Sequence, residues 1–315
     1  MNVSRWARDQ FALYTSNATA KRDYRVQLRG NRSMLLFGLY LGMLILVAMV
    51  VYSQSADVGL VSIVDAQRHL QTFYQTVMGL LAAAVCIIAP ALSATTVVTE
   101  RQRHSFDLIF SAPVTPKYFL VGKMISSFRY TWMLLVLSLP VTATCVVLGG
   151  AAWSDVLEAY GLLSLHALIL TSIALLMSTL APKPVSAIVW SYAACGFYLM
   201  VMSSLGTVSV ARAFIGGGGM EAPFYSGMSP FFVVQNAGTY ATVGATQVPI
   251  WAFTLLFTLL LCKLFVLCAG ALLAPFSGAE VSSLRLHGLV YMAALAFYSA
   301  YAFASLTGVS SNPMI

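Results

Sequence analysis

Seven apolar runs, near residues 33–53, 72–98, 118–149, 157–180, 185–205, 248–275 and 286–306, divide this chain of 315 residues. About 20 residues suffice for a helix to cross the hydrocarbon core of a bilayer. Lipid offers backbone N–H and C=O groups no partner, so runs of this length must close their hydrogen bonds within themselves, as helices. The fold expected is an all-α polytopic membrane protein, a helical bundle of six spans plus a candidate seventh. Composition agrees: 59% of residues are hydrophobic and 9% charged, against about 25% charged in a soluble domain. That excludes a soluble enzyme.

The formal net charge of +7 is unevenly placed. Residues 1–32 hold seven basic residues (Arg5, Arg8, Lys21, Arg22, Arg25, Arg29, Arg32) and two acids (Asp9, Asp23), which reads as a topology signal and not as a nucleic-acid footprint. With the N-terminus inside, 14 of the 17 basic residues fall at the inner face, as the positive-inside rule requires. The segment is too long and polar for the n-region of a cleaved signal peptide, so a retained, cytoplasmic N-terminus is expected. Its mixture of bases with Trp6, Phe11, Leu13 and Tyr14 suits a helix lying among inner-leaflet headgroups, a contact with membrane lipids.

Signatures of chemistry are missing. His69, His104, His166 and His287 do not pair at helical spacing, and no His-Glu-x-x-His run is present. The five cysteines lie in apolar stretches without ligand spacing and read as small core residues; no metal site is expected. No phosphate-cradling glycine loop ending in Lys-Ser/Thr occurs, so any ATPase is another chain. Within the spans, Lys263 lies far from either end of its run and should face protein or water. His166 reads as a core histidine before a functional one, and Arg129 as a residue snorkelling to inner phosphates. Gly38 and Gly42 make a Gly-x-x-x-Gly suited to close helix packing, in the bundle or in a dimer. No polar stripe suited to sugars and no paired acids suited to cations stand out.

Two regions outside the spans are informative. On the inner side, residues 99–117 place Phe106, Ile109 and Phe110 at i, i+3 and i+4, an apolar face on a short helix that Pro113 ends. That face either lies on lipid or fills a groove on a soluble partner. On the outer side, 206–247 holds the run Gly216 to Gly219, then Ala222-Pro223, Ser229-Pro230 and apolar Phe231 to Val234. The order fits a flexible loop leading to a short half-inserted helix.

Ile88-Ala-Pro-Ala-Leu-Ser-Ala94, Thr99-Glu-Arg101, Phe106-Asp-Leu-Ile-Phe-Ser-Ala-Pro113 and Gly122-Lys123, in that order and spacing, resemble the ABC-2 type transporter permeases. Arg22 to Arg32 resembles the family's basic interfacial helix, and Ser138-Leu-Pro140 with Gly149-Gly150 its third span. The resemblance covers about 20–275 and implies a type V exporter-like bundle. It divides the chain into a basic N-terminal segment (1–32), a transmembrane domain (33–275) with a coupling segment (99–117) and an outer re-entrant region (206–247), and an added span with its tail (276–315). It implies a permease subunit of an ATP-driven transporter in a bacterial inner membrane, mostly an exporter, working with a second permease chain as homodimer or heterodimer. ATP and Mg would sit on a separate ATPase subunit, none in this chain, and no nucleic acid is involved. Phe106, Leu108, Ile109 and Phe110 would dock on the ATPase, with Asp107 and the helix-ending Pro113 in the same coupling set and Glu100 and Arg101 fixing the loop to neighbouring helices by charge pairing. The family's usual Gly-Thr-Leu-Glu reads His104-Ser-Phe-Asp107 here, and the extra span departs from a six-helix domain. The competing expectation is a permease-like structural or accessory subunit of a larger membrane assembly.

Overall fold

The computed structural model describes residues 18–28, 31–56, 63–103, 116–215, 229–231, 240–243, 246–277 and 290–294. In chain order these form α1 (Ala18–Leu28), α2 (Asn31–Ala56), α3 (Ile63–Ser93), α4 (Thr96–Gln102), α5 (Pro116–Val147), α6 (Trp153–Leu180), α7 (Pro184–Ile215), β1 (Tyr240–Val243), β2 (Thr246–Pro249) and α8 (Ile250–Ser277). Five helices are long and apolar enough to cross a membrane: α3 continued through α4, then α5, α6, α7 and α8. The 26-residue α2 contributes the shorter apolar stretch Phe37–Val50. Of the candidate seventh span, 290–294 are helical and the rest lies outside the described residues.

Two features correct the sequence reading. Residues 206–215 were expected in a loop, but α7 carries on to Ile215, because Val208, Val210, Ala211, Ala213 and Phe214 continue the apolar pattern until the glycine run at 216. The bundle is also not purely helical: β1 and β2 pair antiparallel, Tyr240 opposite Pro249 and Val243 opposite Thr246. Tyr240, Thr242, Val243, Thr246 and Val248 favour extended backbone, and the intervening Gly244-Ala245 has the Gly-X form of two-residue hairpin loops.

α6 is the axis of the bundle and packs against α3, α5, α7 and α8. Its apolar window is 67% buried, against 22% for α7 at the periphery. Since lipid tails are as apolar as leucine, what holds these helices together is close packing and interhelical hydrogen bonds, not transfer from water. Leu163, Leu170 and Leu175 of α6 interlock with Met78 and Leu81 of α3 and with Phe119 and Leu120 of α5 in two adjoining cores.

The α5–α6 turn is tied down by glycine. Gly149 has φ +85°, a left-handed conformation that costs little only without a Cβ. A Cβ on Gly150 would lie 2.6 Å from the Leu70 carbonyl oxygen of α3, so the turn closes on that helix backbone to backbone.

A polar line does run along one face of α5. Ser127, Thr131, Ser138 and Thr142 are all buried and fall within about 60° of one another at 3.6 residues per turn. Thr131, Ser138 and Thr142 each donate to a carbonyl of their own helix, on Ser127, Leu135 and Leu139. Tyr160 of α6 joins the line, its hydroxyl 2.7 Å from Ser138 Oγ and 3.0 Å from Thr142 Oγ1. Hydroxyls satisfied in this way bridge packed helices.

Candidate functional site

α4 has seven residues, too few to hold a helical shape unaided. What fixes it is the way both its ends are tied to α6. At its start, the Val97 and Val98 N–H groups donate to Ser178 Oγ at 3.1 and 3.3 Å, so α6 supplies an acceptor for donors that a helix N-terminus leaves unmet. At its end, Arg101 Nη2 donates to the Thr179 carbonyl at 2.6 Å and Nη1 to that of Ala181 at 3.5 Å. A cation thus caps the carbonyl end of α6, where the helix dipole favours it.

Glu100, one residue back and so about 100° around the helix, faces α5 and α1. Lys123, seven residues into α5, donates from Nζ to Glu100 Oε1 at 2.9 Å and pairs with Asp23 Oδ2 of α1 at 2.7 Å. Its side chain is only 6% exposed. Arg22 closes the group, with Nη2 3.3 Å from Glu100 Oε1 and Nε 3.2 Å from Asp23 Oδ1. Two cations therefore meet two carboxylates, and the buried ammonium is held by both anions. The Lys123 ammonium also lies 5.5 Å from the ring centroid of Phe119, one turn earlier.

This junction joins α1, α4, α5 and the end of α6 at one end of the bundle. α1 packs along α5, with the Tyr24 hydroxyl 3.5 Å from Met133 Sδ. α4 ends at Gln102 and α5 begins at Pro116, whose ring pre-sets the first helical φ. Phe106, Asp107, Leu108, Ile109, Phe110 and Pro113 lie between, outside the described residues. Both anchor points of that segment are thus parts of the junction.

Of the other sequence candidates, His166 is buried and its Nδ1 is 2.7 Å from the Leu162 carbonyl of its own helix. Among the described residues, Gly38 and Gly42 meet no atom within 4 Å of an added Cβ, so the described bundle leaves their face of α2 open. Lys263 is exposed on α8, its Nζ 5.7 Å from the ring centroid of Tyr291. Among the described residues no three His, Cys, Asp or Glu side chains converge as a metal would need. Sequence reasoning missed Asp23 and Ser178. Asp23 was findable, because a lysine seven residues into a span requires acids and only the neighbouring inner segments hold them; a serine that caps another helix leaves no local pattern.

The sequence model of the ABC-2 family transporter proteins matches residues 18–231, from the first residue of α1 through the junction and beyond α7. The chain belongs to the ABC-2 transporter family. No curated protein is significantly similar to it. As an ABC-2 protein it is a multi-pass membrane component of ABC transport, from a family that normally works with an ATPase subunit. β1, β2 and α8 lie beyond the matched region.

Proposed function

We propose that this chain is the permease subunit of an ATP-driven ABC-2 exporter and that the α4 junction is where motion of a separate ATPase enters the bundle. The observation that carries the reading is the double attachment of α4 to α6, through Ser178 at one end and Arg101 at the other. The 104–115 segment leaves this rigid corner directly. A force on Phe106, Leu108, Ile109 and Phe110, seated in an ATPase groove, would be delivered to α6, the axis of the bundle, and through Lys123 to α5 and α1. Rigid-body tilting of packed helices follows, since such packing is bistable and not continuously deformable. The tilting does work on a cargo only if the two states bind it differently.

In this reading the junction end is cytoplasmic, in a bacterial inner membrane, and the hairpin end faces out near the exit. ATP and Mg reside on the ATPase. A second copy packs on the open face of α2, where Gly38 and Gly42 permit close approach beside exposed Leu35, Leu39 and Leu46.

Replacing Phe106 and Phe110 with Asp tests the assignment. Purified in mild detergent, the wild-type chain should bring a nucleotide-binding subunit in equal amount, with vanadate-sensitive turnover, and the double variant should insert normally but lose it. An unchanged ATPase association in the variant sinks the docking assignment. A wild-type chain that purifies within a large assembly lacking any ATPase establishes the accessory-subunit reading instead.

A further inference from the structure

Lys263 is the one charge within the apolar window Thr254–Leu273 of α8, and it sits at that window's middle. It lies 13 residues from Ile250 and 14 from Ser277, about 20 Å of helix from either end. A lysine stem is shorter than that, so the ammonium cannot reach either headgroup layer by snorkelling. Yet the residue is exposed on the surface of the protomer. On its N-terminal side, exposed Leu255, Leu256 and Leu259 form an apolar stripe that leads up to it. Tyr291 offers a ring face at 5.7 Å, close enough for cation–π attraction on one side. Among the described residues no carboxylate pairs with the ammonium.

The sequence contains no acid between Glu158 and Glu221, none between Glu221 and Glu280 and none after it. Asp65 and Asp155 sit in the first turns of α3 and α6, Glu158 in the second turn of α6, and Glu100 near the end of α4. Among the described residues, therefore, a second copy of this chain offers no carboxylate to set opposite Lys263 at mid-depth. An uncompensated cation facing lipid there is among the costliest arrangements in a membrane, and such residues face protein or water and pair.

From this juxtaposition of Lys263, Tyr291 and an exposed apolar stripe we infer that α8 docks a single membrane helix of a different protein, carrying an Asp or Glu near mid-depth. The stripe supplies packing area and the one central charge sets register and partner identity, as a lone polar residue does between paired helices. The inference is independent of the coupling assignment, because α8 lies outside the junction.

A photo-crosslinking side chain placed at Leu256 or Leu259 in the full chain, activated in native membranes, captures what covers the stripe. The expected product is a membrane protein with an acid inside an apolar span. Lys263→Glu should lower its yield more than about tenfold, as for a desolvated charge pair broken from one side, and changing the partner's acid to Lys should restore it. Lys263→Leu, which adds no charge to the span, should insert and purify normally yet also lose the product. Capture of lipid alone, capture of a second copy of this chain, a partner without an intramembrane acid, or failure of the charge exchange to restore the yield each overturns the inference.

Discussion

Lys123 reaches from α5 to place its ammonium 2.9 Å from Glu100 of α4 and, on its other side, 2.7 Å from Asp23 of α1. One buried cation thus connects the helix that leads into the 104–115 segment with the helix that precedes the first span. Removing it leaves two carboxylates facing each other, with the exposed Arg22 beside them.

Lys123→Met should therefore cost about 2–3 kcal/mol, below the usual figure for breaking a buried pair because Glu100 and Asp23 keep 18% and 15% exposure. Lys123→Met combined with Glu100→Gln and Asp23→Asn should regain much of this, since no carboxylate is left facing another and the Arg22 cation, 60% exposed, stays solvated. Thermal inactivation of the detergent-purified protein, followed by size-exclusion chromatography, measures both. A combined variant no more stable than Lys123→Met would show that the ammonium acts by packing and not by charge.

Ser178→Ala removes the shared acceptor of the Val97 and Val98 N–H groups. Leaving such donors unmet costs about 1–3 kcal/mol, and the loss should stay local to α4. Hydrogen exchange of these two amides should quicken by one to two orders of magnitude, at about tenfold per 1.4 kcal/mol, while the core of α6 stays protected. Equal acceleration across α6 would mean that α4 is not a separable unit.

Gly150→Ala asks for a Cβ at 2.6 Å from the Leu70 carbonyl oxygen. Backbone cannot yield as a side-chain tip would, so the α5–α6 turn must move off α3 at a cost of about 1–3 kcal/mol. Gly149→Ala meets no neighbour but retains the φ of +85°, and should cost about 1–2 kcal/mol from conformation alone. Thermal midpoints rank the two.

Much of this is legible in the sequence alone. The spans follow from apolar runs because lipid leaves the backbone no alternative, and Glu100, Arg101 and Lys123 stood in recognisable order. What was not readable depends on contacts distant in sequence. Ser178 meets Val97 across 81 residues, and a serine in a span otherwise reads as filler. The line Ser127, Thr131, Ser138 and Thr142 had helical period and was overlooked because no charge marked it. The hairpin was hidden because strand propensity in an eight-residue stretch is weak beside the loop signals of Gly216 to Gly219.

Gly38 and Gly42 separate packing inside the protomer from packing between protomers. Among the described residues an added Cβ at either meets no atom within 4 Å, so Gly38→Leu with Gly42→Leu should leave the protomer's stability within about 0.5 kcal/mol, the usual range for surface substitutions. If a second copy approaches along this face, the leucines hold the two backbones apart, and close-contact association that depends on small residues is lost. Crosslinking between copies through a cysteine at Leu39 should then fall, with insertion unchanged. Undiminished crosslinking would place the second copy on another face. A drop in the protomer's own stability would mean that α2 packs its glycines within the chain.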